Sequence, residues 1–122
     1  MIKTAFLAAS LLLLASLVNA HHSSAMFDKN KVVETTATVT EFQWTNPHVW
    51  IEIRFSRDEG MEEAWSIEGL GPNSLFRNGW RPNSFKAGDV IEIRFNPMHD
   101  GSSAGGFIGA KFSDGRTLGR WD

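Results

Sequence analysis

The residues of this sequence best suited to chemistry are its histidines, two of them adjacent at His21-His22 and the others at His48 and His99. Their chemistry is metal ligation. Cleavage of the chain after Ala20 would free the α-amine of His21, and that amine and its own imidazole close one chelate ring on a metal ion. His22 offers a second chelate through the intervening amide. An α-amine has an ordinary pKa near ~7.7–8, so a metal displaces its proton at neutral pH at small cost. Such a nitrogen-rich chelate favours Cu²⁺ among first-row divalent ions. His48 supplies a third nitrogen if the N-terminal arm folds back to it, and Met26, Met98 and His99 are softer or additional donors. The bland reading is equally concrete: His21-His22 as a solvated end tethered by Met26 and Phe27, and His48 as a turn residue bonded to backbone.

Other chemistries find less support. Glu62-Glu63 and Asp58-Glu59 flank a turn and read as solvated charge, and Ser23 and Ser24 have no base or orienting acid beside them. Glycines 101, 105, 106 and 109 fall in a hairpin, not between a strand and a helix, so they do not cradle phosphate. Arg54 and Arg94 are expected to pair with Glu52 and Glu92 on outward strand faces. The indoles Trp44 and Trp50, with Asn46 between them, define a possible ligand face, although packing explains them as well. No acid–base or nucleophilic constellation points to an enzyme. A copper oxygenase centred on His21 would need an open, preorganised site and a substrate surface that the sequence does not display.

The segment delivering His21 has the build of an export leader. Lys3 is its basic end, Ala5 to Val18 is apolar except for Ser10 and Ser16, and Val18-Asn19-Ala20 suits a cleavage site. It is too short and wrongly flanked for a stable membrane span. The expected organisation is a signal peptide over 1–20, an arm over 21–31 and one domain over 32–122. The expected location is periplasmic or secreted. Without Lys3 the formal charge becomes one unit more negative than the −2 of the full chain. The charges are interspersed, which leaves no basic footprint for nucleic acid. With no cysteine, the domain has no disulfide, and five Trp and nine Phe must supply its core.

The elements that position these residues read as strands. Val33, Thr35, Ala37 and Val39 alternate, then Phe42 and Trp44 continue in the opposite phase, which predicts a bulge near Thr40-Glu41. Val49 to Phe55 alternates cleanly, and a third strand over Met61 to Glu68 carries Trp65 and Ile67 inward. Asn73 to Gly79 predicts a short helix capped by Asn73 or Ser74, with Gly79 at its end. Lys86 to Asp89 launches a fourth strand with Ile91, Ile93 and Phe95 inward. A fifth strand with Ile108, Ala110 and Phe112 inward leads to a short tail. Five strands, a bent first strand and a helix between strands 3 and 4 match a five-stranded OB-like barrel, the alternative being a split β-sandwich. Exposed edges of short strands leave the oligomeric state open.

Several motifs stand in a fixed order: His21-His22-Ser23, Ala25-Met26-Phe27-Asp28, Phe42-Gln43-Trp44-Thr45-Asn46-Pro47-His48, Leu75-Phe76-Arg77-Asn78-Gly79-Trp80, Lys86-Ala87-Gly88-Asp89 and Asp114-Gly115-Arg116. Together they resemble a family of small exported bacterial proteins classed as a domain of unknown function. The resemblance implies an exported single domain. Ala37 stands where that pattern leads one to expect a glycine, and His99 replaces a basic residue. At His21 alone the chain is also similar to exported copper carriers and copper oxygenases that begin with histidine. The sequence therefore leads to two expectations: a periplasmic copper-binding protein using His21, His22 and His48, or a metal-free module that holds an envelope partner.

Overall fold

Alternating apolar residues make this chain a barrel because each strand has only one face to bury. The computed structural model describes residues 24–122. Its strands are β1 (Val33–Gln43), β2 (Trp50–Asp58), β3 (Met61–Glu68), β4 (Val90–Pro97), β5 (Ala104–Phe112) and β6 (Thr117–Gly119), with helix α1 (Pro72–Arg77) between β3 and β4. Antiparallel pairing runs β3-β2-β1-β4-β5, and a parallel pairing of β3 with β5 closes the ring. This is the expected five-stranded OB-like barrel, closed rather than split into a sandwich.

β1 serves two neighbours. Val33 to Thr38 pair with β4, and Thr38 to Gln43 pair with β2. The ladder to β2 shifts register between Val39 and Glu41, as the phase change predicts. Thr40 is the extra residue there, and the added local twist lets Phe42 turn inward. Ala37 lies in straight ladder opposite Ile91, three residues ahead of the bend, so a side chain costs nothing at that position.

Ile51, Ile53, Ile67, Ile91 and Ile93 are buried, together with Val39 and Val49. Two aromatic clusters complete the core. One is Phe55, Trp65 and Phe95; the other joins Phe42, Trp80, Phe85, Phe107 and Phe112. Burying a side chain of this kind contributes roughly 1.5–3 kcal/mol, which is how the domain holds together without a disulfide.

Four local expectations need correction. Helix α1 starts one residue earlier than expected, with Gly71 at the N-cap and no side-chain cap. Pro72 lies at its start, where fixed φ and the missing N–H cost nothing. In β5, Phe95 pairs with Phe107 while Arg94 pairs with Gly109, so Ile108 is the bulged residue. Phe107 takes the inward position expected of Ile108. Arg94 pairs with Glu34, its direct partner on β1, at 2.8 Å rather than with Glu92, and stacks over Trp121. The tail forms β6, a sixth strand outside the closed ring.

The turns behave as their residues dictate. Asp100 and Asp114 both sit below the ordinary aspartate pKa, Asp100 chiefly through the Ser102 hydroxyl and Asp114 chiefly through the Arg116 backbone N–H. Gly79 follows α1 at φ +89° with open space around it. Gly79→Ala is expected to cost about 1–2 kcal/mol from the left-handed backbone alone. A matching fall in melting temperature, with unchanged near-ultraviolet circular dichroism, is the check.

Candidate functional site

Strand β5 has two edges, and the topology leaves a gap in one of them. β4 occupies one edge from Gly105 to Phe112. On the other, β3 pairs with Ala104 to Gly106 and β6 pairs with Gly109 to Lys111. Between them Phe107 has no partner on that edge, while the Ile108 carbonyl accepts from the Arg120 N–H at 2.9 Å. A cavity of about 700 Å³ opens there, with Trp80, Phe107, Leu75 and Leu118 among its walls and His48 and Glu68 also lining it.

His48 reaches this cavity because the corner before β2 is tied down on both sides. Thr45 donates its hydroxyl hydrogen to the His48 carbonyl at 2.9 Å, across a cis Asn46-Pro47 bond. The Gly69 N–H donates to the Val49 carbonyl at 2.9 Å, and the Val49 N–H donates to Leu70 at 3.1 Å. Gly71 lets Pro47 approach, since a Cβ there would lie 2.7 Å from the Pro47 carbonyl oxygen. These bonds place His48 beside Glu68, the last residue of β3.

His48 Nδ1 is buried against Glu68 Oε1. The contact is close but is not a directed hydrogen bond, and Nδ1 has no hydrogen-bond partner among the described residues. An ionised carboxylate only accepts, so Nδ1 carries a proton in this contact. That leaves Nε2 with the lone pair when the ring is neutral. The His48 side chain is 37% exposed and that of Glu68 only 16%.

The arm forms another wall. Phe27 bridges to Met98, the Asp28 N–H donates to Pro97 at 2.8 Å, and the His99 N–H donates to Met26 at 2.9 Å. Asn96 Nδ2 donates to the Lys31 carbonyl at 2.7 Å. The Phe27 ring lies over Gly106, where a Cβ would stand 3.0 Å from it. Ser24, Phe27 and Lys29 all border the cavity. The arm is therefore docked along the end of β4 and leads directly to the cavity.

The other expected site residues lie elsewhere. Trp44 stacks edge-on against Phe42 at 5.9 Å and packs on the core, whereas Trp50 stands opposite Gln43 and Glu68 on the outward side of β2. The two indoles thus leave their strands on different sides, and Asn46 is exposed between them. His99 sits 3.9 Å from Asp28 and borders a separate cavity with Arg57 and Trp65. His21 and His22 lie outside the described residues. Among the described residues no group of three or more His, Cys, Asp or Glu is gathered as for a metal, and no helix is long and apolar enough to cross a membrane.

Sequence reasoning missed Glu68. The signal was available in the strand phase: Ser66 and Glu68 alternate with Trp65 and Ile67, and Glu68 pairs with Trp50, two residues past His48.

Fold and cavity define a small OB-like β-barrel with an aromatic-walled slot and a histidine–carboxylate pair at its lip. Over residues 9–107 the chain matches a family of unknown function (DUF6152), and it belongs to that family. No curated protein and no solved structure matches it.

Proposed function

We propose that this is an exported, periplasmic binding protein that holds copper at its processed N-terminus, with His48 as a ligand contributed by the barrel. The observation that carries the proposal is the placement of Ser24. It borders the same cavity as His48. His21 is three residues upstream, and three extended residues span roughly 10 Å. The His21 amine and imidazole would form the primary chelate, with His22 and His48 as further nitrogen donors. Glu68 strengthens the case for His48, because a carboxylate beside one ring nitrogen orients the ring so that the other can serve as a ligand.

The test is a Cu²⁺ titration of tag-free protein starting at His21, against a competing chelator. A matched sample carries one additional N-terminal residue, which moves the amine off His21. One-to-one binding is expected, lost in the extended sample. His48→Ala is expected to weaken binding roughly tenfold, about 1.4 kcal/mol, for the loss of one ligand. Weak binding that the extension leaves unchanged would sink the proposal.

A second reading, a metal-free module for an envelope partner, is favoured by one observation. Leu70 and Phe76, in the loop and helix after β3, are 60% and 54% exposed. Large apolar side chains standing out beside a cavity suit a protein interface. Recovery of one partner that Phe76→Asp no longer retains, at equal melting temperature, would favour this module over the copper carrier.

A further inference from the structure

The slot between β3 and β6 is much larger than a metal ion, and its chemistry is uneven. We propose that it binds a small organic cation: a primary ammonium group on an apolar body. This goes beyond the copper proposal and does not depend on it.

The shape comes first. The cavity volume of about 700 Å³ lies within the range of small-molecule sites, about 300–1,000 Å³, which are mostly apolar with a few converging polar groups. Trp80, Phe107, Leu75 and Leu118 supply apolar wall. Trp80 and Leu75 are buried and Phe107 and Leu118 half-buried, so the wall they give the slot is apolar and largely covered.

The charge decides the ligand class. Among the described residues Glu68 is the one carboxylate lining the cavity, and its side chain is largely covered. Lys29 is the one lysine there among the described residues, and it is exposed on the arm, where water solvates its charge. A ligand filling the slot removes water from Glu68. Covering a carboxylate without providing donors or opposite charge is costly. A neutral apolar molecule carries that cost in full, and an anion adds repulsion to it. An ammonium group instead donates up to three N–H bonds to a group that only accepts, in the stronger, charge-assisted class.

Aromatic placement agrees with a cation. Phe27 covers Gly106, and Gly106 is the ladder partner of Glu68 across the β3–β5 closure. A π-ring and a carboxylate therefore flank one spot, and ring faces attract cations. His48 already lies on Oε1 of Glu68, so the ligand addresses the rest of the carboxylate.

The test uses metal-free protein with one additional N-terminal residue, which removes the amine chelate. Copper binding, or its failure, then has no bearing on the outcome. 2-Phenylethylamine, 2-phenylethanol and 3-phenylpropionate share a ring and differ in head group. They are titrated while tryptophan fluorescence and the amide signals of Gly106, Phe107 and Leu118 are followed. The amine is expected to saturate those signals and to bind at least about tenfold more tightly than the alcohol, from one charge-assisted bond. The acid is expected not to bind. Glu68→Gln keeps shape and removes charge, and is expected to bring the amine down to the affinity of the alcohol. Equal binding of amine and alcohol overturns the proposal, as does no saturation by any probe. So do shifts confined to residues away from the slot, or a Glu68→Gln protein that binds the amine as before.

Discussion

Phe95→Ala is expected to destabilise the domain by about 3–5 kcal/mol, the range for removing a buried aromatic ring and leaving its cavity. Phe95 is completely buried. Its ring centroid lies 5.4 Å from Trp65 and 6.2 Å from Phe55, and its backbone pairs with β1 on one side and β5 on the other. The surrounding residues cannot collapse into the space, because they are held by ladders on three strands. Against a total stability of about 5–15 kcal/mol for a domain of this size, the loss takes a large share of the whole. Urea denaturation followed by tryptophan fluorescence measures it, with Trp65 as the neighbouring reporter. Phe76→Ala on the exposed face of α1 is the control and should cost under about 1 kcal/mol. A Phe95→Ala cost below about 1.5 kcal/mol would show that the aromatic cluster is not the keystone of the closed barrel.

That keystone was legible in the sequence because β-strands declare themselves by period. Val49 to Phe55 and Ile91 to Phe95 alternate without error, and the phase change between Val39 and Phe42 placed the bulge near Thr40-Glu41, where the register shifts. The period failed where side chains were missing. Ala104 to Gly109 contains three glycines in six residues, so the inward set could be read through Ile108 or through Phe107. The bulge that chooses Phe107 exists only in the pairing with β4. Helix α1 was legible in place, while its cap was not, because Asn73 and Ser74 have the side chains of a cap whereas the helix starts at Pro72, which needs none.

The candidate site was half legible. His48 was picked out by its Asn46-Pro47 corner, and the arm was expected to matter. Glu68 was hidden by distance along the chain, since the bonds from Gly69 and Leu70 to Val49 bring it to His48 from 20 residues away. The slot could not be seen at all. It is a gap between two strands sharing one edge of a third, a property of topology with no residue pattern of its own. Trp44 and Trp50 show the converse limit: six residues apart across one corner, they fall on different sides, Trp44 packed on the core against Phe42 and Trp50 on the outward side of β2.

Gly105→Ala is expected to strike the closure of the barrel. Gly105 belongs to both ladders that meet on β5, opposite Pro97 of β4 and Ile67 of β3. An added Cβ would lie 2.5 Å from Phe95 Cδ2 and 2.7 Å from the Asn96 carbonyl oxygen. The ring can tilt, but the carbonyl is part of β4 and yields only if the strand backs away. Overpacking of this kind costs about 1–3 kcal/mol, and the upper end applies because backbone must move. At about 4–8 °C per kcal/mol for a domain of this size, the melting temperature should fall by more than 10 °C. The weakest join is the parallel one, only three residue pairs long, so amide exchange at Ser66 to Glu68 should accelerate before exchange at β1 does. Gly106→Ala provides the contrast. Its added Cβ meets the Phe27 ring, at 3.0 Å, rather than a ladder carbonyl. It should leave the melting temperature nearly unchanged while shifting the arm away from the slot, and with it the binding of copper and of amine probes. A Gly105→Ala protein that melts with the parent and protects Ser66 to Glu68 as well would mean that β3 and β5 need not touch for the barrel to hold.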